Sequence, residues 1–354
     1  MAERPDYPIV DIHTHLFRTP EVGKRAFWRN PHTAVIPYTG LPEDYIAGHK
    51  DAGVSYSAAM IVTPTREMRQ RDLRERGEYG SSVWENNSGL QLDEKLLRRM
   101  DHNNAWGCWV GEKYPEIVPF IMVDPRLIAG DALASYVQNR WDEGARGVKL
   151  LNVQTHHHAD DKRLFPMYDF MQSINMPLFA QSGGGTGMGQ NGVTVNPRTG
   201  DVWGRPRQFR KTLENFPQLS VILAHALGGY NNTFGDLLDL ADNFPNVFVD
   251  TTVVTPRVAA NPELAIDLAK MVRRVGAEHI AFGTNFPLTE FNHDRKRDID
   301  IWLEMPLLSD AEKRMILSDN GLKLIRGSEP IGVANTFPDG NPVPRESREG
   351  GGWG

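Results

Sequence analysis

The chain has 354 residues, of which 40% are hydrophobic and 24% are charged, a balance typical of a folded soluble protein rather than a disordered one. Its 39 basic and 45 acidic residues give a net charge of −6, which argues against a nucleic-acid-binding groove. The single cysteine, Cys108, excludes an internal disulfide framework and a cysteine-based zinc site, and it favours a reducing compartment. No apolar run approaches the ~20 residues of a membrane span, and the first residues contain no apolar signal core. We therefore expect a soluble cytoplasmic protein.

Short β-branched apolar runs alternate with helical patterns along the chain. The predicted strands are residues 9–13, 55–62, 118–123, 146–151, 177–181, 220–225, 247–251 and 279–284. The predicted helices are residues 41–52, 93–106, 131–143, 164–175, 207–216, 231–243, 262–275 and 309–326. Nearly continuous apolar strands are typical of a parallel sheet covered on both faces. Eight strand–helix units favour a (β/α)₈ TIM-type barrel, with an open doubly wound sheet as the alternative.

We expect one barrel domain over residues 1–326, although the length would allow two domains of ~150 residues. Two connections, residues 17–40 and 63–92, are too long for simple turns and should carry function at the carboxyl ends of the strands. A third long connection, residues 182–206, opens with three glycines and is predicted to be a mobile loop. We interpret 63–92 as an insertion loop that could serve as a lid or an interface. Residues 327–354 are rich in Pro and Gly and are predicted to form an extended tail.

The first predicted strand ends in Asp11-Ile12-His13-Thr14-His15. Alternation along a strand predicts that residues 11, 13 and 15 point to the same side. If that side is the barrel interior, His13 and His15 supply half of a site for a divalent metal, Zn or Mn, with Asp11 as a further candidate ligand. A pair of histidines hydrogen-bonded to nearby backbone is the alternative.

Polar residues also end the later strands: Gln181 the fifth, His225 the sixth and Asp250 the seventh, while Asn285 follows the eighth. Packing alone would favour apolar side chains at these positions. Since the carboxyl ends of barrel strands form the catalytic face, the pattern predicts a functional cluster there.

The stretches DIHTH, LAHALGG and FGTNFP resemble the amidohydrolase superfamily over about residues 8–326. The resemblance is to its amidohydrolase-related branch, which includes aminocarboxymuconate-semialdehyde decarboxylase, resorcylate-type decarboxylases and pyrone-dicarboxylate lactonases. It implies a distorted (β/α)₈ barrel, a homodimer and one divalent metal bound by His13 and His15. It also implies that His225 polarises the substrate or activates a metal-bound water.

Two positions depart from the pattern that the resemblance implies. Gln181 stands where the family usually has a third histidine ligand, and Asn285 stands where it usually has an aspartate. An amide can coordinate through its oxygen, but it cannot act as a general base near neutral pH. We therefore predict Gln181 as a weak metal ligand and Asn285 as a residue of the catalytic group, together with His225 and Asp250.

Three interpretations of the altered site remain open. The site could work without a metal through its histidines, it could hold a metal through a rearranged set, or the barrel could have lost catalysis and kept binding. The rearranged set would draw on Asp11 or on one of His156, His157 and His158 after the fourth strand.

Other residues of the same face are candidates for contact with the substrate. Arginine suits a carboxylate because its guanidinium donates two parallel hydrogen bonds, and an aromatic ring would form a wall. Lys149 and His157 are proposed from the resemblance, whose members use a lysine or histidine in this stretch. The full set is Phe17, Trp28, Arg66, Lys149, His157, Trp203 and Arg205.

Together these features predict a hydrolase that acts on a small cyclic or carboxylated organic substrate, such as a lactone or an amide. Water would be activated by His225 or Asp250, or by a metal at His13 and His15. The first alternative is non-oxidative decarboxylation of an aromatic or unsaturated carboxylic acid, and the second is a non-catalytic binding protein. We expect no nucleic-acid or membrane partner.

Overall fold

A computed structural model describes residues 2–27, 40–77, 90–182, 203–228, 233–252, 254–287 and 295–326. Its eight parallel strands pair in chain order within one sheet. The strands are β1 (Ile9–His15), β2 (Val54–Ile61), β3 (Ile117–Val123), β4 (Gly147–Leu150), β5 (Leu178–Gln181), β6 (Val221–Ala224), β7 (Val247–Asp250) and β8 (Ile280–Ala281). The segment after β8 closes the sheet onto β1, since Ile12 N donates to Phe282 O at 2.9 Å and Asn285 N to His13 O at 2.7 Å. The predicted (β/α)₈ barrel is confirmed.

Helices surround this barrel. They are α1 (Pro20–Phe27), α2 (Pro42–Ala52), α3 (Thr65–Glu75), α4 (Leu90–Lys113), α5 (Gly130–Asp142), α6 (Asn152–Thr155), α7 (Phe165–Ser173), α8 (Arg210–Asn215), α9 (Thr233–Asn243), α10 (Thr255–Ala260), α11 (Ala265–Val275), α12 (Arg295–Leu303), α13 (Asp310–Arg314) and α14 (Asn320–Arg326). A π-helical turn, Met315–Asp319, joins the last two, so the predicted helix 309–326 is a sequence of three segments. No helix in the described ranges is both long and apolar enough to span a membrane.

Two layers of apolar side chains follow from strand alternation. Val221 and Leu223 of β6 pack outward in the large cluster that includes the helices, whereas Ile222 and Ala224 belong to a smaller cluster built mainly from strands. The smaller cluster is the barrel interior. Lys149 follows the same rule, because its neighbours in β4 pack outward. The same alternation directs Gln181 at the end of β5 and Asp250 at the end of β7 into the barrel, because Ala180 and Val249 before them pack outward.

The segment 63–92 differs from the prediction of a plain insertion loop. Residues Thr65–Glu75 form α3, in which Leu73 is buried against Leu92 and Leu96 of α4. Arg69 of α3 is fully buried and is paired with Asp93. A helix whose buried face includes a charged pair has little apolar periodicity, which explains why the sequence pattern did not reveal it. The predicted tail, residues 327–354, lies outside the described residues.

Two helix start signals in the sequence have the expected geometry. Ser309 with Glu312 three residues later is the pattern of a capping box, and the structure contains it: Ser309 Oγ accepts from Glu312 N, and the Glu312 carboxylate accepts from Ser309 N. Asn261 caps the short turn Pro262–Leu264 as its position before a proline suggests.

Candidate active site

An irregularity in β1 sets the orientation of the two strand-1 histidines. The register between β1 and β2 shifts between Asp11 and Thr14, so simple alternation does not hold across this stretch. His13 is 1% exposed, and its ring lies 4.7 Å from that of Phe179 inside the barrel.

Asp11 has a different role from its predicted partners. Its Oδ1 accepts from His13 N at 3.1 Å and from Thr284 N at 3.0 Å, and its Oδ2 accepts from Thr284 Oγ1 at 2.6 Å. Burial raises the pKa of this carboxyl to about 7, against the lowering effect of the Thr284 hydrogen bond. Asp11 thus ties β1 to the segment after β8, and both of its oxygens are occupied.

Asp250 lies at the centre of the site and accepts hydrogen bonds on both oxygens. Its Oδ2 is 2.6 Å from His13 Nδ1, while its Oδ1 accepts from His225 N at 2.9 Å and from Thr252 Oγ1 at 2.8 Å. Burial alone would raise the pKa of Asp250, but His13 and His225 hold it below its ordinary value. The carboxylate is therefore ionised and acts only as an acceptor.

These contacts fix the tautomers of two histidines. His225 Nδ1 lies 2.7 Å from Thr252 Oγ1, whose only hydrogen is donated to Asp250, so Nδ1 of His225 must carry a hydrogen and donate it. His13 Nδ1 likewise donates to Asp250. In both rings the lone pair is left on Nε2. Burial lowers the pKa of His225 to about 4 and that of His13 to about 3, so both rings are neutral at pH 7.

His13, His225 and Asp250 are close enough to hold a metal ion, since their ligand atoms lie within 4.8 Å of one another. His15 lies beside this group, with its ring centroid 5.2 Å from that of His13 and its Nε2 3.0 Å from Asn285 Oδ1. Gln181 ends β5 as predicted and is 5% exposed, and its Oε1 has no hydrogen-bond partner among the described residues.

Lys149 brings a buried cation to the barrel interior. Its Nζ lies 4.2 Å from the centre of the Phe179 ring and, within the described ranges, forms no hydrogen bond or ion pair. Burial lowers its pKa to about 7, and Asp250 acts in the opposite direction. A desolvated ammonium without a carboxylate partner is suited to an anionic ligand.

The three adjacent histidines after β4 point in two directions. The rings of His156 and His158 lie against Trp203, with centroids 5.2 Å and 4.7 Å away. His157 is 5% exposed on the other side, with Nδ1 at 2.7 Å from Thr155 Oγ1. Their side chains therefore do not converge on one point.

The remaining residues predicted to contact the substrate differ in burial and in hydrogen bonding. Arg66 is half-buried on α3, and its Nε has no partner in the described part of the chain. Arg205 donates two hydrogen bonds, of 2.8 and 2.9 Å, to the carboxylate of Asp236. Phe17 is buried after β1, and Trp28 lies outside the described residues.

Three rim residues that are not glycine have left-handed backbone conformations. The φ angles are 56° for His156, 67° for His225 and 62° for Asn285. Such conformations are uncommon for residues with a Cβ and are concentrated at functional sites. All three follow the carboxyl ends of barrel strands, where the site is expected.

The sequence prediction missed Thr252 and Thr284, which orient His225 and Asp11. The available signal was weak: each threonine lies two residues or one residue from a predicted site residue, in the stretches VDTT and GTN. Their roles depend on hydrogen bonds to residues 27 and 273 positions away. Phe179, on which both Lys149 and His13 pack, was likewise recognised only as a strand residue.

The geometry agrees with the comparison with known families. The model of a family described as Amidohydrolase matches residues 10–327. The chain belongs to the amidohydrolase family. A search of curated proteins found no match.

Solved structures share the fold at low sequence identity. An uncharacterised TIM-barrel protein from Bordetella bronchiseptica is 19% identical, with a TM-score of 0.60 over 91% of this chain and 99% of that one. A 5-carboxyvanillate decarboxylase from Novosphingobium aromaticivorans, with bound manganese and 3-methoxy-4-hydroxy-5-nitrobenzoic acid, is 12% identical, with a TM-score of 0.60 over 90% and 97%. A probable 2-pyrone-4,6-dicarboxylic acid hydrolase from Acinetobacter baumannii, with bound citric acid, is 13% identical, with a TM-score of 0.55 over 90% and 98%. Proteins named as a decarboxylase and as a probable hydrolase therefore share this barrel fold.

Proposed function

We propose that this amidohydrolase-family protein is a hydrolase that opens an ester-like or amide bond, such as that of a lactone, in a small carboxylated substrate. The proposal depends on one observation: hydrogen bonds to Asp250 orient two histidine rings. This carboxylate fixes His13 directly and His225 through Thr252, so both rings offer a lone pair on Nε2. A neutral imidazole backed by a buried carboxylate is suited to general-base catalysis.

In the proposed reaction, a water oxygen attacks the substrate carbonyl while His225 Nε2 accepts one of the water protons. The carbon–oxygen or carbon–nitrogen bond to the leaving group then breaks, and the leaving group receives that proton from His225. Asp250, whose oxygens are already occupied, stabilises the transient imidazolium through Thr252 rather than acting as the base itself. Asn285 keeps His15 in place through the 3.0 Å contact.

We propose that His13, His15 and Gln181 hold one divalent metal, Zn or Mn, because imidazole nitrogens and an amide oxygen are suitable ligands for such an ion. His13 would supply Nε2, Gln181 its unpartnered Oε1, and His15 the nitrogen that now contacts Asn285. A bound metal would supply Lewis-acid polarisation of the substrate carbonyl. Asp11 is not part of this proposed set, because both of its oxygens are engaged by Thr284 and the backbone.

Lys149 is the group that we assign to a substrate carboxylate. It is buried, and its Nζ contacts an aromatic ring rather than an acid. The solved structures most relevant here act on, or contain, carboxylic acids: 5-carboxyvanillate in one and 2-pyrone-4,6-dicarboxylic acid in the other. We keep Arg66, His157 and Trp203 as outer contact residues.

Decarboxylation is the second candidate, and Lys149 is also the observation that favours it. A carboxylate held beside a desolvated ammonium could leave as CO₂ if a site acid protonated the remaining carbon. A panel of lactones and hydroxybenzoates separates the two reactions, because hydrolysis of a lactone releases acid whereas decarboxylation releases CO₂. Acid release that is lost in His225→Gln supports hydrolysis, whereas CO₂ release alone would overturn it.

A matched control is available on the protein surface. His102 is an exposed histidine on α4, and His102→Gln should leave turnover unchanged. If His13→Ala and His225→Gln also left every measured turnover unchanged, the barrel would be a binding protein. Elemental mass spectrometry of protein purified without chelator tests the metal, since a stoichiometric metal should be lost in His13→Ala.

We also propose a cytoplasmic homodimer with no nucleic-acid or membrane partner. The dimer rests on the resemblance to the amidohydrolase family, and the compartment rests on the single cysteine, which is buried. Sedimentation equilibrium of the full chain should give twice the monomer mass of 39.8 kDa.

A further inference from the structure

The side chain of Lys149 lies over an aromatic ring in the barrel interior. Lys149 on β4 and Phe179 on β5 are directly paired across the sheet, and they are 2% and 0% exposed. The Nζ atom lies 4.2 Å from the centre of the Phe179 ring, within the ~6 Å reach of a cation–π interaction. Because this interaction is strongest for a desolvated cation, the ring is a significant partner for the buried ammonium.

Two further ring contacts fix the position of Phe179. The ring of His13 lies 4.7 Å away at an interplanar angle of 65°, and that of Phe120 lies 6.2 Å away at 89°. Phe120 is paired with Gly147 of β4, and a Cβ atom at Gly147 would overlap the Phe120 ring. The missing side chain at position 147 thus makes room for Phe120. As a result, the Phe179 ring cannot turn away from Lys149 without displacing its neighbours.

An aromatic ring and a carboxylate leave different things to a ligand. A carboxylate would neutralise the ammonium and accept its hydrogens, whereas a ring stabilises the charge through its quadrupole and takes up no conventional hydrogen bond. Asp250 acts on Lys149 electrostatically, but both of its oxygens already accept hydrogen bonds from other groups. The hydrogens of the ammonium are therefore left for an oxygen atom of a bound ligand.

We propose that Phe179 is a positioning residue of this site: its ring keeps the Lys149 side chain charged and in place for the carboxylate of a ligand. The inference rests on the proposed function in taking Lys149 as the group that binds a carboxylate. It adds that selectivity for an anionic ligand depends on the aromatic character of residue 179 as well as on the lysine.

The charge of Lys149 can be followed through the pH dependence of ligand binding. Burial lowers the pKa of Lys149 to about 7, so a weaker interaction with the ring would remove the charge mainly above pH 7. The other titratable groups that interact with Lys149 keep their charge state between pH 5.5 and 8: His13, His15, His225 and Asp250. Asp11 also has a pKa of about 7, but it is bonded to Thr284 and should titrate alike in every variant.

Fluorination of the ring tests the interaction with little change of shape. Replacement of Phe179 by 4-fluoro- and then 3,4,5-trifluorophenylalanine weakens the negative face of the ring in two steps. Calorimetric titration with benzoate and benzamide, which differ mainly in charge, measures the effect. At pH 8 the Kd of benzoate should rise in two steps, by about tenfold in total. At pH 5.5 it should rise by less than about twofold, because the ammonium is then present in every variant. The Kd of benzamide should not change.

Phe120 provides the matched control. It is fully buried in the same interior layer but, among the described residues, forms no cation–π contact with Lys149. The same replacements at position 120 should leave the Kd of benzoate unchanged. If the fluorinated proteins do not fold, Phe179→Leu and Phe120→Leu replace them, and only Phe179→Leu should lose the preference for benzoate at pH 8.

Three results would overturn the inference: no preference of the wild-type protein for benzoate over benzamide at pH 5.5, an unchanged Kd of benzoate after fluorination at position 179, or an equal rise after fluorination at position 120. Titrations in a His225→Gln background separate the inference from the proposed function. That variant should lose turnover and keep the effect of fluorination, so a failure of hydrolysis alone would leave the role of Phe179 standing.

Discussion

Two parts of this barrel use the same device to orient a histidine, with different chemical results. His225 at the centre of the site and His157 after β4 each donate from Nδ1 to a threonine oxygen 2.7 Å away. Thr252 passes its own hydrogen to the Asp250 carboxylate, whereas Thr155 passes its hydrogen to the backbone carbonyl of Leu151. A carboxylate can stabilise a positive charge that develops on the ring, and a carbonyl does so far less. The first arrangement favours proton transfer, and the second favours neutral hydrogen bonding.

The largest effect is expected for substitution of Asp250, whose carboxylate distinguishes the surroundings of His225 from those of His157. Asp250→Asn should lower kcat/KM by about a thousandfold or more, because the amide cannot stabilise the imidazolium and can impose the wrong tautomer on His13. The rate should be measured on the substrate identified in the panel. Asp239→Asn, at a half-exposed aspartate paired with Arg210, should retain wild-type activity. A loss of kcat/KM of less than tenfold in Asp250→Asn would contradict the role assigned to this carboxylate beside His225.

The threonine between His225 and Asp250 should have the next largest effect. Thr252→Val removes the acceptor for Nδ1 of His225, and a change to such an outer residue typically costs about 10- to 100-fold in activity. Thr252→Ser restores the hydroxyl and should restore most of kcat. Loss of activity in Thr252→Ser together with retained activity in Thr252→Val would show that packing of the methyl group, rather than the hydrogen bond, is what matters.

Lys149 provides a pH test of the central region. Its pKa is lowered to about 7 by burial, so the ammonium is present below pH 7 and is lost above it. Binding of a carboxylated substrate should therefore weaken as pH rises, with KM increasing by about tenfold for each pH unit above the pKa. In Lys149→Gln, KM should be higher at pH 6 and nearly independent of pH between 6 and 8. A KM that falls with pH in the wild type would contradict the assignment of Lys149.

The smallest effect is expected at Thr155, which contacts His157 Nδ1. Thr155→Val should raise KM by about 3- to 10-fold and leave kcat unchanged, since His157 is proposed to contact the substrate but to transfer no proton. The contrast with Thr252→Val, which should act on kcat, is the sharpest check of the two roles. A fall in kcat for Thr155→Val would place both histidines in the same chemical step.

The sequence predicted much of the fold because strand ends and caps are local signals. Apolar runs gave all eight strands, and the polar residues that end them, such as Gln181, His225 and Asp250, lie at the mouth of the barrel as expected. The helix α3 was missed because its buried face includes the charged Arg69. Charged residues in a sequence are ordinarily read as solvated, and only the partner Asp93 on α4 makes the burial tolerable.

The orientation of the site residues could not be predicted in the same way. Alternation placed Asp11 with His13 and His15, but the irregular register of β1 and the contact with Thr284 give Asp11 a separate role. Likewise, the tautomers of His13 and His225 depend on the full pattern of donors around Asp250. Such a pattern follows from tertiary contacts, which a strand pattern does not encode.

The backbone at position 285 has a consequence for how this site can diverge. Asn285 has a left-handed conformation, with a φ of 62°, and asparagine and aspartate are among the few residues that accept it readily. An exchange between the amide and the acid at this position therefore requires no rearrangement of the main chain. The end of β8 can therefore gain or lose one negative charge without a change in the barrel. Related proteins whose substrates or ligands need a different charge at this position can keep the same fold.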